Sequence, residues 1–181
     1  MGIVTALLGP LYFILPAYIA NIAPVLFIRL KFLATPVDFG KKISKKPVFG
    51  SHKTWRGLFV ATLLGFLVFY LQRTFYAYGI FKSISIVDYG FFPFWFGALM
   101  GFGAIFGDLI KSFFKRRLSI APGKRWVPFD QADFIVGALV FSSFFYVPQP
   151  WVWAYLILIS IPLHIVARHV GFYLGICKDK W

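Results

Sequence analysis

The chain has 181 residues, of which 60% are hydrophobic and 14% charged, with a mean hydropathy of +0.77. Soluble domains run nearer half apolar and a quarter charged, and disorder needs low hydrophobicity, so both classes are excluded and an all-α integral membrane protein is expected. The net charge is +13, and the six acidic residues are all aspartates: Asp38, Asp88, Asp108, Asp130, Asp133 and Asp179.

A membrane-spanning helix needs about 20 apolar residues, and about five stretches approach that length: 4–28, 57–77, 91–110, 132–148 and 150–168. The first carries Pro16 and Pro24 and lacks the basic leader of a signal peptide, so it is expected to be a mature, bent helix. The gap 29–56 that follows holds eight of the 19 basic residues. Near its start, Asp38 in Pro36-Val37-Asp38-Phe39-Gly40 is expected to stabilise a turn. At its end, Ser51-His52-Lys53-Thr54-Trp55-Arg56-Gly57 runs straight into the second span. A helix N-terminus presents free amides and a favourable dipole to an anion, so Lys53, Thr54 and Arg56 are candidate phosphate contacts and Ser51 a candidate cap.

The gap between the second and third spans carries only Arg73 and Lys82. In the third span Gly97, Gly101, Ala104 and Asp108 share one helical stripe, whose small residues admit a close neighbour. Lys111, Ser112 and Lys115 continue it beyond the membrane boundary. The helix cannot pass Pro122-Gly123, so 118–129 is expected to be a loop presenting Lys124 and Arg125. The next helix opens with Pro128-Phe129-Asp130-Gln131-Ala132-Asp133, where Asp130, Asp133 and Gly137 share a face. Asp130 alone would suit an N-cap, and Asp108 or Asp133 a structural ion pair. A helix hairpin that sets this face on the Asp108 stripe would bring three carboxylates to one depth. Their mutual repulsion is removed by a hard divalent cation, magnesium in particular, and the surrounding cations suit a polyphosphate. Val147-Pro148-Gln149-Pro150 makes a tight turn into the last span, where His164 and His169 are expected to be packing or interface residues. Cys177 has no partner for an intrachain disulfide and is expected to be inert.

Sidedness follows from the basic residues, which concentrate in cytoplasmic loops. Gap 29–56 holds eight, gap 108–131 six (Lys111, Lys115, Arg116, Arg117, Lys124, Arg125) and the tail three, against two in the remaining gap. The N-terminus is therefore expected outside and the C-terminus in the cytoplasm, with the whole chain forming one transmembrane catalytic domain whose cytoplasmic loops are about 29–56 and 111–129. No nucleic-acid partner is expected, because the basic surplus belongs to sidedness and anion binding.

These motifs together resemble the CDP-archaeol synthase family, the archaeal branch related to bacterial CDP-diacylglycerol synthases. Lys53-Thr54-Trp55-Arg56-Gly57 is similar to the family's KTWRG motif, Gly107-Asp108 through Lys115-Arg116 to its GDxxxSxxKR run, and Pro128-Phe129-Asp130-Gln131-Ala132-Asp133 to its PFDQxD. The resemblance covers roughly 29–57 and 101–137. The bacterial His-Gly-Gly segment is replaced by Gly123-Lys124-Arg125-Trp126-Val127, which favours the archaeal branch. The resemblance implies transfer of a cytidylyl group from CTP to 2,3-bis-O-(geranylgeranyl)-sn-glycero-1-phosphate at the cytoplasmic face of the cell membrane. It implies Asp108, Asp130 and Asp133 as magnesium ligands and, with Lys115, as catalytic groups. Lys53, Thr54, Arg56, Lys111, Ser112, Arg116, Lys124 and Arg125 would then bind the substrates. Rival readings are a phosphatidate-type CDP-diacylglycerol synthase and a non-enzymatic protein binding anionic lipid. A CDP-alcohol phosphotransferase would need DxxDGxxAR, which Asp130-Gln131-Ala132-Asp133-Phe134 does not continue.

Overall fold

A computed structural model describes residues 2–122, 124–173 and 175. Cys177, Lys178, Asp179 and Lys180 therefore lie outside the described residues, as does Gly123. Helix α1 (Ile3–Leu26) contains Pro10, Pro16 and Pro24 and is apolar over its whole circumference, as a helix surrounded by lipid and other helices must be. A hairpin of β1 (Lys42–Ile43) and β2 (Lys46–Pro47) follows, paired antiparallel with Lys42 opposite Pro47. Next come α2 (Trp55–Phe75), the short α3 (Gly79–Ser83), a 3-10 turn at Tyr89–Phe91, α4 (Phe96–Arg117), α5 (Phe129–Ser142) and α6 (Pro150–Tyr173).

Four of these helices, α1, α2, α4 and α6, are long and apolar enough to cross a membrane. The fourth expected span differs. Instead of 132–148 it is α5, which starts at Phe129 and stops at Ser142 after 14 residues. At 1.5 Å per residue it reaches about 21 Å, short of the roughly 30 Å of a hydrocarbon core. Ser142 and Ser143 both turn their hydroxyls onto the Leu139 carbonyl, and such local bonds compete with helix continuation at this end.

Helix α4 is the central element, touching α1, α2 and α5. It achieves this with two glycine pairs on different faces. An added Cβ at Gly97 would lie 2.3 Å from the Gly65 carbonyl of α2, and one at Gly107 would lie 2.2 Å from the Asp133 carbonyl of α5. Gly103 and Gly137 close the same α4–α5 contact, with a Cβ at Gly137 only 2.2 Å from the Gly103 carbonyl. At these glycines no Cβ fits, which is the small-residue packing that brings helices together where lipid offers no hydrophobic drive.

The bundle's two ends are built differently. Around the α2–α4 connection the core is aromatic: Phe13, Phe69, Tyr89 and Phe96 are all 1% exposed or less. Phe92 and Phe96 have ring centroids 4.4 Å apart, and Phe69 and Phe96 5.1 Å. At the opposite end lie the hairpin, the α4–α5 loop and nearly all the buried charge.

Candidate active site

The segment before α2 folds back on itself. Val37 donates to the Lys53 carbonyl at 2.7 Å, Trp55 to Thr35 at 3.1 Å and Arg56 to Leu33 at 2.7 Å. Thr54 is the N-cap, its hydroxyl accepting from the Gly57 amide at 3.3 Å. This corrects two sequence expectations. Ser51 is not the cap, and the first amides of α2 are not free for an anion, because an antiparallel strand segment has already taken them. Any phosphate contact from this end must come from side chains.

Asp38 organises the same loop. Its carboxylate accepts from the amides of Phe49 at 2.9 Å, Gly50 at 3.1 Å and Gly40 at 3.0 Å. Burial opposes its charged form, but these amides outweigh burial and hold the carboxyl below the ordinary carboxylate range. The hairpin is fastened to the end of α4 by a reciprocal clasp. Lys46 Nζ donates to the Arg117 carbonyl at 3.0 Å, while the Arg117 guanidinium donates to the carbonyls of Ile43 at 2.9 Å and Pro47 at 2.6 Å. Lys46 therefore does more than mark sidedness. The loop that carries Lys53 is fixed relative to α4 at two places.

The glycine seam between α4 and α5 then sets Asp108 beside Asp130 and Asp133. One ammonium reports how close they are: Lys111 Nζ lies 3.0 Å from Asp108 Oδ1, 3.2 Å from Asp130 Oδ1 and 2.7 Å from Asp133 Oδ2. Lys53 pairs with Asp108 from the α2 side. Lys115 reaches both oxygens of Asp130 at 3.0 Å and also donates to the Lys124 carbonyl, tying the α4–α5 loop to the cluster. Asp130 accepts from the Trp126 amide and is not an N-cap, since Pro128 holds that position.

These groups line a cavity of about 700 Å³, within the range of small-molecule sites. Lys53, Thr54, Arg56, Asp108, Lys111, Ser112, Lys115, Arg116, Lys124, Arg125 and Asp130 all reach its wall. Asp133 does not; it meets Lys111 from behind the wall, with a side chain 7% exposed. Arg56 directs one Nη to the Leu30 carbonyl, linking the segment after α1 to α2. Arg116 is 7% exposed, and its Nε and Nη1 have no acceptor among the described residues. Polar wall residues to which the sequence reading gave no site role include Asn21 of α1, His52 of the loop before α2, Gln131 of α5, and His164 and Arg168 of α6. His164 is thus a wall residue and not simply a packing one. The only signal was local: His164 lies one turn after the buried Ser160, and Arg168 one turn after His164, on a ridge that winds slowly around α6.

The donor set has the chemistry of a hard divalent ion, oxygen only and carboxylate-rich. Its present spacing is that of oxygens around an ammonium, and among the described residues no three acidic, histidine or cysteine side chains form a ready-made metal cage. Cations outnumber carboxylates on the wall, so the cavity as a whole favours a polyanion.

Comparison with known proteins agrees with this chemistry. Residues 3–181 match the family described as CarS-like, CDP-archaeol synthase. The CDP-archaeol synthase of Methanocaldococcus jannaschii is 35% identical over 97% of each chain, and that of Methanococcus aeolicus is 33% identical over 100% of this chain and 99% of its own. The Pyrococcus furiosus CDP-archaeol synthase is 39% identical over 75% of both. A solved structure described as an intramembrane enzyme for archaeal membrane lipids biosynthesis superposes with a TM-score of 0.70 at 28% identity, covering 87% of this chain and 90% of that one. A multi-pass membrane protein whose buried charges gather around one cavity, the chain belongs to the CDP-archaeol synthase family.

Proposed function

We propose that the cavity is where a cytidylyl group passes from CTP to 2,3-bis-O-(geranylgeranyl)-sn-glycero-1-phosphate, giving the CDP-lipid and pyrophosphate. A single observation carries the assignment to this cavity: three carboxylates and a surplus of cations share its wall or lie directly behind it, at the loop-bearing end of a membrane bundle. No catalytic base is required. A phosphate monoester has a second pKa near 6 and is already an anionic nucleophile at neutral pH. Its oxygen forms a bond to the α-phosphorus of CTP while the bond to the α–β bridging oxygen breaks, and the electron pair leaves with pyrophosphate.

The barrier is bringing two anions together, so positioning and charge dominate. Lys53, Arg116, Lys124 and Arg125 supply cations, and Thr54 and Ser112 supply hydroxyl donors for the triphosphate and the acceptor phosphate. The Thr54 oxygen accepts from Gly57, which leaves its proton to donate. Lys115 holds Asp130 and the Lys124 loop in register. Asp108, Asp130 and Asp133 would supply the carboxylates for magnesium, which is usually held by one or two carboxylates with nucleotide oxygens and waters completing its shell. When bound, the ion neutralises the triphosphate and stabilises the leaving pyrophosphate. The excess of Lys and Arg in the hairpin and α4–α5 loops supports a cytoplasmic orientation for this end.

Purified protein in bilayers, given labelled CTP, magnesium and the lipid phosphate, is expected to release pyrophosphate and form a nucleotide-linked lipid. Asp133→Asn is expected to lower turnover at least about 100-fold with the bundle intact. Near-normal turnover at limiting magnesium would remove Asp133 from the metal set.

A further inference from the structure

The ridge of α6 that starts against the bundle at Val152 winds around the helix and changes character along its length. Val152, Leu156 and Ser160 are buried, and His164 and Arg168 follow at the same spacing, where the ridge reaches the cavity wall. The Nε of Arg168 is buried and has no acceptor among the described residues. A guanidinium donor without an acceptor in such a place costs free energy unless a ligand oxygen completes it. An i, i+4 His–Arg pair is not needed to pack this end of α6, which is the least enclosed of the four spanning helices.

Position distinguishes this pair from the other wall cations. Lys53, Lys111 and Lys115 are engaged with the carboxylates on the α2, α4 and α5 side. His164 and Arg168 stand on α6, which packs on α1 and α5. Along this side the cavity wall includes Pro24 and Val25 of α1 and Ile28 just beyond it, and Val25, Ile28, Leu163 and Val166 are exposed on the outside of the bundle. An acceptor carrying long isoprenoid chains needs this combination: apolar surface continuous with the bilayer for the chains and a cation at the membrane boundary for the phosphate.

We propose that His164 and Arg168 form the subsite for the phosphate of the membrane-embedded acceptor, with Arg168 donating to its oxygens and His164 beside it. The subsite holds a lipid-anchored phosphomonoester in reach of the nucleotide bound against α2 and α4. The proposal rests on the transferase reading of the same cavity.

Two measurements test it separately from that reading. In bilayer discs, Arg168→Ala is expected to raise the KM for the lipid phosphate roughly ten-fold or more while the KM for CTP changes by less than about two-fold. Arg168→Lys should recover part of the loss, and His164→Gln should give a smaller rise in the same constant. A rise in the CTP constant instead, or no change in either, overturns the assignment. Direct binding of the lipid phosphate without CTP, compared with the same lipid lacking its phosphate, needs no turnover. Wild type should prefer the phosphorylated lipid and Arg168→Ala should lose that preference, whereas retained preference overturns the subsite. Should Arg168→Ala fail to fold, Arg168→Lys and His164→Gln decide the matter in the same assays. If wild type binds the phosphorylated lipid yet makes no nucleotide-linked product, the transferase reading fails and the subsite stands.

Discussion

The two ends of the bundle hold their helices together by opposite means. Around the α2–α4 connection, Phe13, Phe69, Tyr89, Phe92 and Phe96 interlock ring against ring, with no ion pair among them. At the loop-bearing end, Asp108, Asp130 and Asp133 converge with Lys53, Lys111 and Lys115. Removing buried charges from water is costly even when they are paired, and apolar replacements of similar volume are often as stable or more so. The aromatic end is therefore expected to contribute more to the stability of the fold than the ionic end. Helix α4 joins the two, using its glycines to place charge that packing alone would exclude.

The largest expected effect comes from pushing the ionic end out of register without touching a charge. In Gly107→Ala the new Cβ would sit 2.2 Å from the Asp133 carbonyl, so α5 must move. Overpacking of this kind costs about 1–3 kcal/mol of stability. A displacement near 1 Å at reacting groups costs roughly 100-fold in turnover. Steady-state assay and thermal unfolding of the same purified variant check both. Turnover near that of wild type would show that the glycine seam does not set the carboxylate geometry. Phe96→Ala sharpens the contrast. Phe96 is fully buried among four other rings, yet the chain's unfolded reference in a bilayer keeps the ring out of water, so mainly the cavity part of the usual penalty remains. A loss of about 2–3 kcal/mol is expected, with turnover per folded molecule unchanged.

Much of this arrangement was legible in the sequence because helical spacing is rigid. Offsets of three, four and seven residues placed Asp108, Lys111 and Lys115 on one stripe and Asp130, Asp133 and Gly137 on another, and two stripes on adjacent helices have few ways to meet. The second glycine pair of α4 went unread, since Gly103 and Gly107 lie off the stripe that Gly97 begins and only a partner helix gives them meaning. The fold-back before α2 was also hidden. Nothing in Lys53-Thr54-Trp55-Arg56 announces that the carbonyls of Leu33 and Thr35 will occupy the helix amides, because that pairing joins residues about twenty positions apart through a loop with little apolar content. His164 and Arg168 were legible as an i, i+4 pair but not as a wall, because their relevance depends on where α6 docks.

The smallest effect tests whether the loop scaffold outside the membrane belongs with the ionic end or merely borders it. Asp38 accepts three amides across the loop that presents Lys53, and its folded pKa lies below the ordinary carboxylate value. A depressed carboxylate pKa stabilises the fold while the unfolded group is also ionised, so its contribution is complete above about pH 4 and is lost as pH falls through the folded value. Asp38→Asn is therefore expected to lower stability by about 1 kcal/mol at neutral pH, the size of a partly replaced set of hydrogen bonds. The gap between variant and wild type should narrow only below about pH 4. Because Val37 pairs directly with Lys53, loosening this loop should also reduce turnover by a few-fold through Lys53 while the carboxylates of α4 and α5 stay in place. A stability loss with unchanged turnover would mean that the ionic end positions Lys53 through Asp108 alone, and that the loop serves only to cap the bundle.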